Sequence, residues 1–285
     1  MAKNSSKEVR MYLRIRNLCG LLGIILPWLA LFSAGIANHP GNDWWWSISA
    51  TYYQSPALVA VLVPACLVLI SYIGYDAMDN LLTTSAGIAG LGIVLFPCKV
   101  SWLETGTRVG FFQIPMEVSH TVHGICAAIF FLAIALNSIF QFTKTRKTMT
   151  ERKKLRNKIY RICGYGMLVL EVVFFVVRVT NAPGFWTMIL EILLLLLFGI
   201  AWLVKGEAFP FLNDTEEDLA GAEIAETAGV AVADAAEVAD AAGAELADAE
   251  LADAAEVADA AGVEPADAGV GASGDAADAA GGGSR

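Results

Sequence analysis

The sequence predicts an all-α fold: a polytopic membrane helix bundle of six transmembrane helices, followed by a disordered acidic C-terminal tail. Three observations predict it. Residues 1–205 hold six apolar stretches of 17 to 25 residues, near the ~20 residues that an α-helix needs to cross a bilayer. Those residues carry 18 Lys and Arg against 9 Asp and Glu, a net of +9, whereas 206–285 carry one Arg against 20 acidic residues, a net of −19. Hydrocarbon offers the backbone no water partners, so a crossing segment must satisfy its own hydrogen bonds as a helix.

The stretches fall at about 18–37, 56–75, 81–97, 117–141, 161–179 and 185–204. The first follows Lys3, Lys7, Arg10, Arg14 and Arg16 and ends at Gly35-Ile36-Ala37. A signal peptide has the same order of features, but its apolar region is shorter, so an uncleaved anchor is the reading. Pro27 and Pro64 lie inside the first two stretches, where a missing N–H and a ring clash bend a helix. In the third, Ser85 with Ala89 and Ala86 with Gly90 make pairs of small residues one turn apart. Such a face lets helices approach closely in lipid. The fourth is long enough to tilt. The sixth contains an unbroken Leu193–Leu197 run.

Charge sets the expected orientation. Nine basic residues lie within 144–161, relieved only by Glu151, and with the basic N-terminus they place both segments on the cytoplasmic side. Six crossings then put both chain ends in the cytoplasm, in the cell's inner (cytoplasmic) membrane. Trp44, Trp45, Trp46, Tyr52, Tyr53, Trp102 and Trp186 fall at outer ends; Tyr12, Tyr75, Tyr160 and Trp202 fall at inner ends. Rings with a polar edge favour the headgroup level.

The tail, 206–285, is built of Ala, Asp, Glu and Gly and repeats ADAAEVADAAG at 233–243 and 252–262. Alanine favours helix, but like charges three residues apart repel, and such a composition cannot bury enough apolar surface to fold alone. The 144–161 link is expected to attract anionic membrane lipid and to offer the tail an electrostatic docking site. No folded basic module points to nucleic acid. Cys19, Cys66, Cys98, Cys126 and Cys163 stand singly and read as buried apolar groups rather than a disulfide framework.

Ionisable groups within the apolar stretches are the candidate functional residues. Glu171 lies in the fifth and Glu191 in the sixth, at depths that bring them near one level; Arg178, two turns along from Glu171, is placed to pair with Glu191. Glu117, His120 and His123 share a face of the fourth, and His39 lies in the loop on the same side. Three imidazoles would suit zinc with an open position, although no H-E-x-x-H motif is present. Nor is there a G-x-S-x-G motif or a phosphate-binding glycine loop. The hydroxyl-rich run Ser47–Ser55 leads into the second stretch.

With SISATYY at 47–53, YDAMDN at 75–80, a Gly-rich third stretch ending Leu95-Phe96-Pro97, and HTVHG at 120–124, residues 1–205 resemble a family of bacterial six-helix integral membrane proteins. They are loosely similar to the Frag1/DRAM-like group. The resemblance implies the six-helix fold and transfers no catalytic residue. Two function classes follow. One is a transporter-like or regulatory membrane module without catalysis or cofactor, using Glu171, Glu191 and Arg178. The other is a zinc-dependent intramembrane lipid hydrolase using His39, His120 and His123. The first is favoured.

Overall fold

A computed structural model of the chain describes residues 2–37, 46–145, 149–180 and 183–224, with Thr227 and Asp240 beyond them. Six long helices form its body: α1 Ala2–Ala37, α2 Ala57–Ser71, α3 Ala77–Leu95, α4 Met116–Leu136, α5 Glu151–Val179 and α6 Phe185–Lys205, and residues 216–224 are helical as well. A short hairpin, β1 Arg108–Val109 and β2 Ile114–Pro115, lies between α3 and α4. Each helix packs on its neighbours in sequence, and α1 packs on α6, so the helices close into an up-and-down ring.

Five helices (α1, α3, α4, α5, α6) are long and apolar enough to cross a membrane; α2 has 15 residues and is shorter. On α5, Val169, Val172, Phe175, Val176 and Val179 are exposed in an apolar stripe. A band of this kind fits contact with lipid rather than water.

The helix ends depart from the apolar stretches for local reasons. The expected start of α5 at 161 is corrected to Glu151. Lys, Arg, Glu and Leu are good helix formers, Thr150 caps the end by accepting from Lys153 N at 3.0 Å, and the acidic Glu151 suits the helix N-terminus. α3 begins at Ala77 rather than 81 because Asp76 caps it, accepting from Asp79 N at 2.9 Å. α2 stops at Ser71, not 75: Gly74 N donates to Asn80 Oδ1 at 2.5 Å and Tyr75 N to Asp79 Oδ2 at 2.9 Å, so the extended segment finds its partners in α3.

Small residues set the closest crossings. An added Cβ on Gly20 would stand 2.8 Å from Gly199 O, and one on Gly199 2.8 Å from Gly20 O, so α1 and α6 touch backbone to backbone. The small face of α3 behaves as its sequence suggests: Ala86 is fully buried, and Gly87 lies against Cys66 and Ile70 of α2. Gly110 turns the hairpin with φ +72°, and its Cα side faces Leu95 O with no room for a side chain.

Trp202 corrects the expected interface placement. It is fully buried, with ring centroids 5.2 Å from Tyr72 and 5.4 Å from Phe142. An aromatic cluster at the ring's centre outcompetes the headgroup level for its surface. The compact first unit also runs to Glu223, past the expected boundary at 205. Beyond Lys205, Asp214 Oδ2 lies 2.6 Å from Arg156 Nη2, and Asp218 Oδ2 lies 3.0 Å from Arg152 Nε. The tail repeats at 233–262 lie outside the described residues, apart from Asp240.

Candidate functional site

The alternating ring gathers one set of polar residues at the end formed by the starts of α2, α4 and α6 and the finishes of α1, α3 and α5. His120 and His123 stand one turn apart in the first turns of α4. Glu171 and Arg178 stand two turns apart on α5, about 10.5 Å along its axis. Glu191 lies in the second turn of α6. All five line one cavity of about 700 Å³, whose other walls are largely apolar, Leu62, Phe130, Phe131, Phe174 and Leu194 among them. Glu171, Arg178 and Glu191 on one hand and His120 and His123 on the other, read from the sequence as two separate sets, thus line the same cavity.

Their pairing differs from expectation. Glu191 does not pair with Arg178. Its carboxylate accepts from Ser47 Oγ at 2.8 Å, Ile48 N at 2.5 Å and Ser49 Oγ at 2.9 Å. Three local donors on one loop outcompete a guanidinium carried on the neighbouring helix, because each reaches the oxygens without bending a long side chain. Arg178 Nη2 instead meets His120 Nε2. On the other side of that ring, Lys99 N donates to Nδ1 at 3.2 Å. A neutral imidazole has one acceptor nitrogen, so two donors compete for a single lone pair.

His123 is held differently. Its Nδ1 lies 3.1 Å from Ile93 O and 2.9 Å from Phe96 O. Carbonyls only accept, so Nδ1 carries the proton and Nε2 keeps its lone pair. His39 lies outside the described residues. Among the described residues no group of three His, Cys, Asp or Glu side chains gathers closely enough to hold a metal ion. Glu117 sits 3.9 Å from Lys99 Nζ, a loose and partly exposed pair.

Two features of the site escaped the sequence reading. The hydroxyl-rich Ser47–Ser49 signal was legible, but its partner, Glu191, was not. Lys99, a loop residue between α3 and α4, also lines the cavity. Cys98 lies beside it; burial first and the Glu191 charge second push its thiol up, so it stays protonated. Tyr53 fixes this loop by donating to Cys98 O at 2.8 Å.

The opposite end holds a second buried polar group. Asp79 is fully buried and accepts from Asn137 Nδ2 at 3.1 Å. Asn137 opens a π-helical turn, 137–141, that continues α4. Arg16 donates to Tyr72 Oη at 3.1 Å and stacks over Tyr12 at 4.3 Å from the ring centroid. The Lys205 ammonium lies 4.4 Å from the Tyr75 ring centroid. Cation–ring contacts account for Arg16 and Lys205 and the Asn137 amide for Asp79, and they read as structural.

No family model matches the chain, and no curated protein or solved structure is significantly similar to it.

Proposed function

We propose that the chain is a multi-pass integral membrane protein, a transporter-like or regulatory module whose cavity binds a small amphipathic ligand. The observation that carries this reading is the convergence of His120, His123, Glu171, Arg178 and Glu191 on one otherwise apolar cavity. Pockets that bind small molecules are mostly apolar, with a few convergent polar groups that fix orientation.

In the same reading all six helices cross. α2 contributes about 22 Å of rise, and extended residues 72–75 add about 13 Å. The Gly74 and Tyr75 N–H groups are met by Asn80 and Asp79, which eases their burial in hydrocarbon. The basic 144–161 link lies at the cytoplasmic end, with both chain ends on that side, and attracts anionic lipid there. The Arg152 and Arg156 contacts with Asp218 and Asp214 support docking of the acidic tail's first residues on the link.

Native mass spectrometry of the full chain, extracted gently from membranes, tests the ligand site. A bound small-molecule mass is expected, and it should be lost in Gly124→Phe, since Gly124 lines the cavity and has open space beside it. A bound mass unaffected by filling the cavity would contradict the reading.

One observation favours the hydrolase as a second reading: the His123 tautomer, with Nδ1–H fixed on carbonyls, leaves Nε2 ready to ligate a metal. Stoichiometric zinc in the purified chain, lost in His123→Ala, would favour it.

A further inference from the structure

We propose that the cavity's ligand is an amphipathic anion: a phosphate- or carboxylate-type headgroup on Arg178 and an apolar body among α4, α5 and α6. This rests on the cavity being a ligand site. The charge of the headgroup follows from how the four charged side chains of the lining are partnered.

Glu191 is taken. Three donors from 47–49 occupy its oxygens, so it has little left to offer a cation. Glu171 lies two turns from Arg178, toward the middle of α5. Arg178 is exposed at the end of the cavity, and among the described residues no carboxylate lies within ion-pair distance of it. Its one hydrogen-bond partner there is His120, whose single lone pair is also sought by Lys99 N–H. Lys99 adds a second positive charge to the same corner, only loosely paired with Glu117 at 3.9 Å.

The corner is therefore rich in donors and positive charge and poor in acceptors. A phosphate or carboxylate supplies what is missing: two or three acceptor oxygens matching the guanidinium fork, and the opposite charge. The apolar wall supplies the rest. Phe130, Phe131, Phe174, Leu194 and Leu195 border the same space, and each apolar carbon buried there adds to affinity. A free inorganic anion would leave that wall unused. Glu171, about 10.5 Å along α5 from Arg178, can accept from a hydroxyl or amide placed partway along the ligand.

The test uses the full chain in an uncharged maltoside detergent, which supplies no phosphate of its own. Dodecyl phosphate, dodecanol, dodecyltrimethylammonium and inorganic phosphate are titrated separately, with binding read as a dissociation constant. Dodecyl phosphate should bind at least tenfold more tightly than dodecanol or the cationic analogue, and inorganic phosphate should bind far more weakly than either dodecyl compound that lacks a positive charge. Arg178→Gln should erase the preference for phosphate over dodecanol, and Lys99→Gln should reduce it about threefold. Lys144→Gln, outside the cavity, should leave it unchanged. Equal affinity for dodecyl phosphate and dodecanol, or tighter binding of the cation, would overturn the anionic headgroup while leaving the cavity as a ligand site. Inorganic phosphate as strong as dodecyl phosphate would overturn the amphipathic ligand. Failure of every dodecyl compound to bind would overturn the cavity reading itself. The comparison within the unmodified chain stands even where a variant fails to fold.

Discussion

The Ser47 hydroxyl lies within hydrogen-bond reach of both carboxylate oxygens of Glu191, at 3.0 and 2.8 Å, although 144 residues separate the two in sequence. This contact, with Ile48 N and Ser49 Oγ, fastens the loop before α2 to the first turns of α6. Glu191→Ala leaves three donors without their acceptor. It should destabilise the chain by about 2–4 kcal/mol, whereas Ser47→Ala should cost about 1 kcal/mol. Thermal unfolding in detergent measures both, and equal effects of the two substitutions would count against a shared clamp.

The contact shows where the sequence was legible. Its hydroxyl run and its carboxylate both stand out locally, one by composition and the other by the cost of charge in an apolar stretch. Which partner each chooses depends on how the ring of helices closes, which no local pattern encodes. The same holds for Arg178: spacing along α5 placed it correctly two turns from Glu171, but its neighbour across the cavity is His120 of α4. Helix existence was plain from apolar length, while the ends of α2, α3 and α5 were not, because caps such as Asp76 and Thr150 lie outside the apolar runs. Trp202 misled for a related reason: position near a helix end suggested the headgroups, but Tyr72, Phe142 and Phe198 surround it.

Gly199 should tolerate no side chain. Gly199→Leu would drive atoms into the Gly20 backbone and the Ile24 side chain, and overpacking of this kind costs about 1–3 kcal/mol. Gly124→Leu, with open space beside it, should cost far less. Melting temperatures of the two variants compare them directly.

Residues 213–218 should detach at low pH. Partial burial alone would raise the Asp214 carboxyl, but hydrogen bonds from Arg156 and Thr150 outweigh it and hold the group below its ordinary value. The Thr215 N–H and hydroxyl hold Asp218 down likewise. A lowered native value stabilises docking fully above the ordinary carboxylate range near 4 and loses that contribution as the pH falls through the native value. A spin label on Ala220→Cys should keep constant mobility between pH 6 and 8 and gain mobility below about 4. Arg156→Ala should show the mobile spectrum already at pH 7.

The native thiols should react in order of exposure. Cys19, Cys66, Cys98 and Cys163 are buried, and Cys126 is half-buried. A membrane-permeant maleimide should modify Cys126 first. Cys98, held protonated, should lag, since the thiolate is the reactive form. Mass mapping of partially labelled protein reads the order.

The proposed sidedness of the bundle puts the cavity on one face of the membrane and the basic helix start on the other. Exposed Glu104, in the loop between α3 and α4, and exposed Lys158, in the first turns of α5, mark the two ends. Each is replaced singly by cysteine and labelled in intact cells with a membrane-impermeant maleimide, with the unsubstituted chain as the blank. Glu104→Cys should label in intact cells and Lys158→Cys only after lysis. Labelling of both from outside, or recovery of the chain in the soluble fraction, would contradict the account.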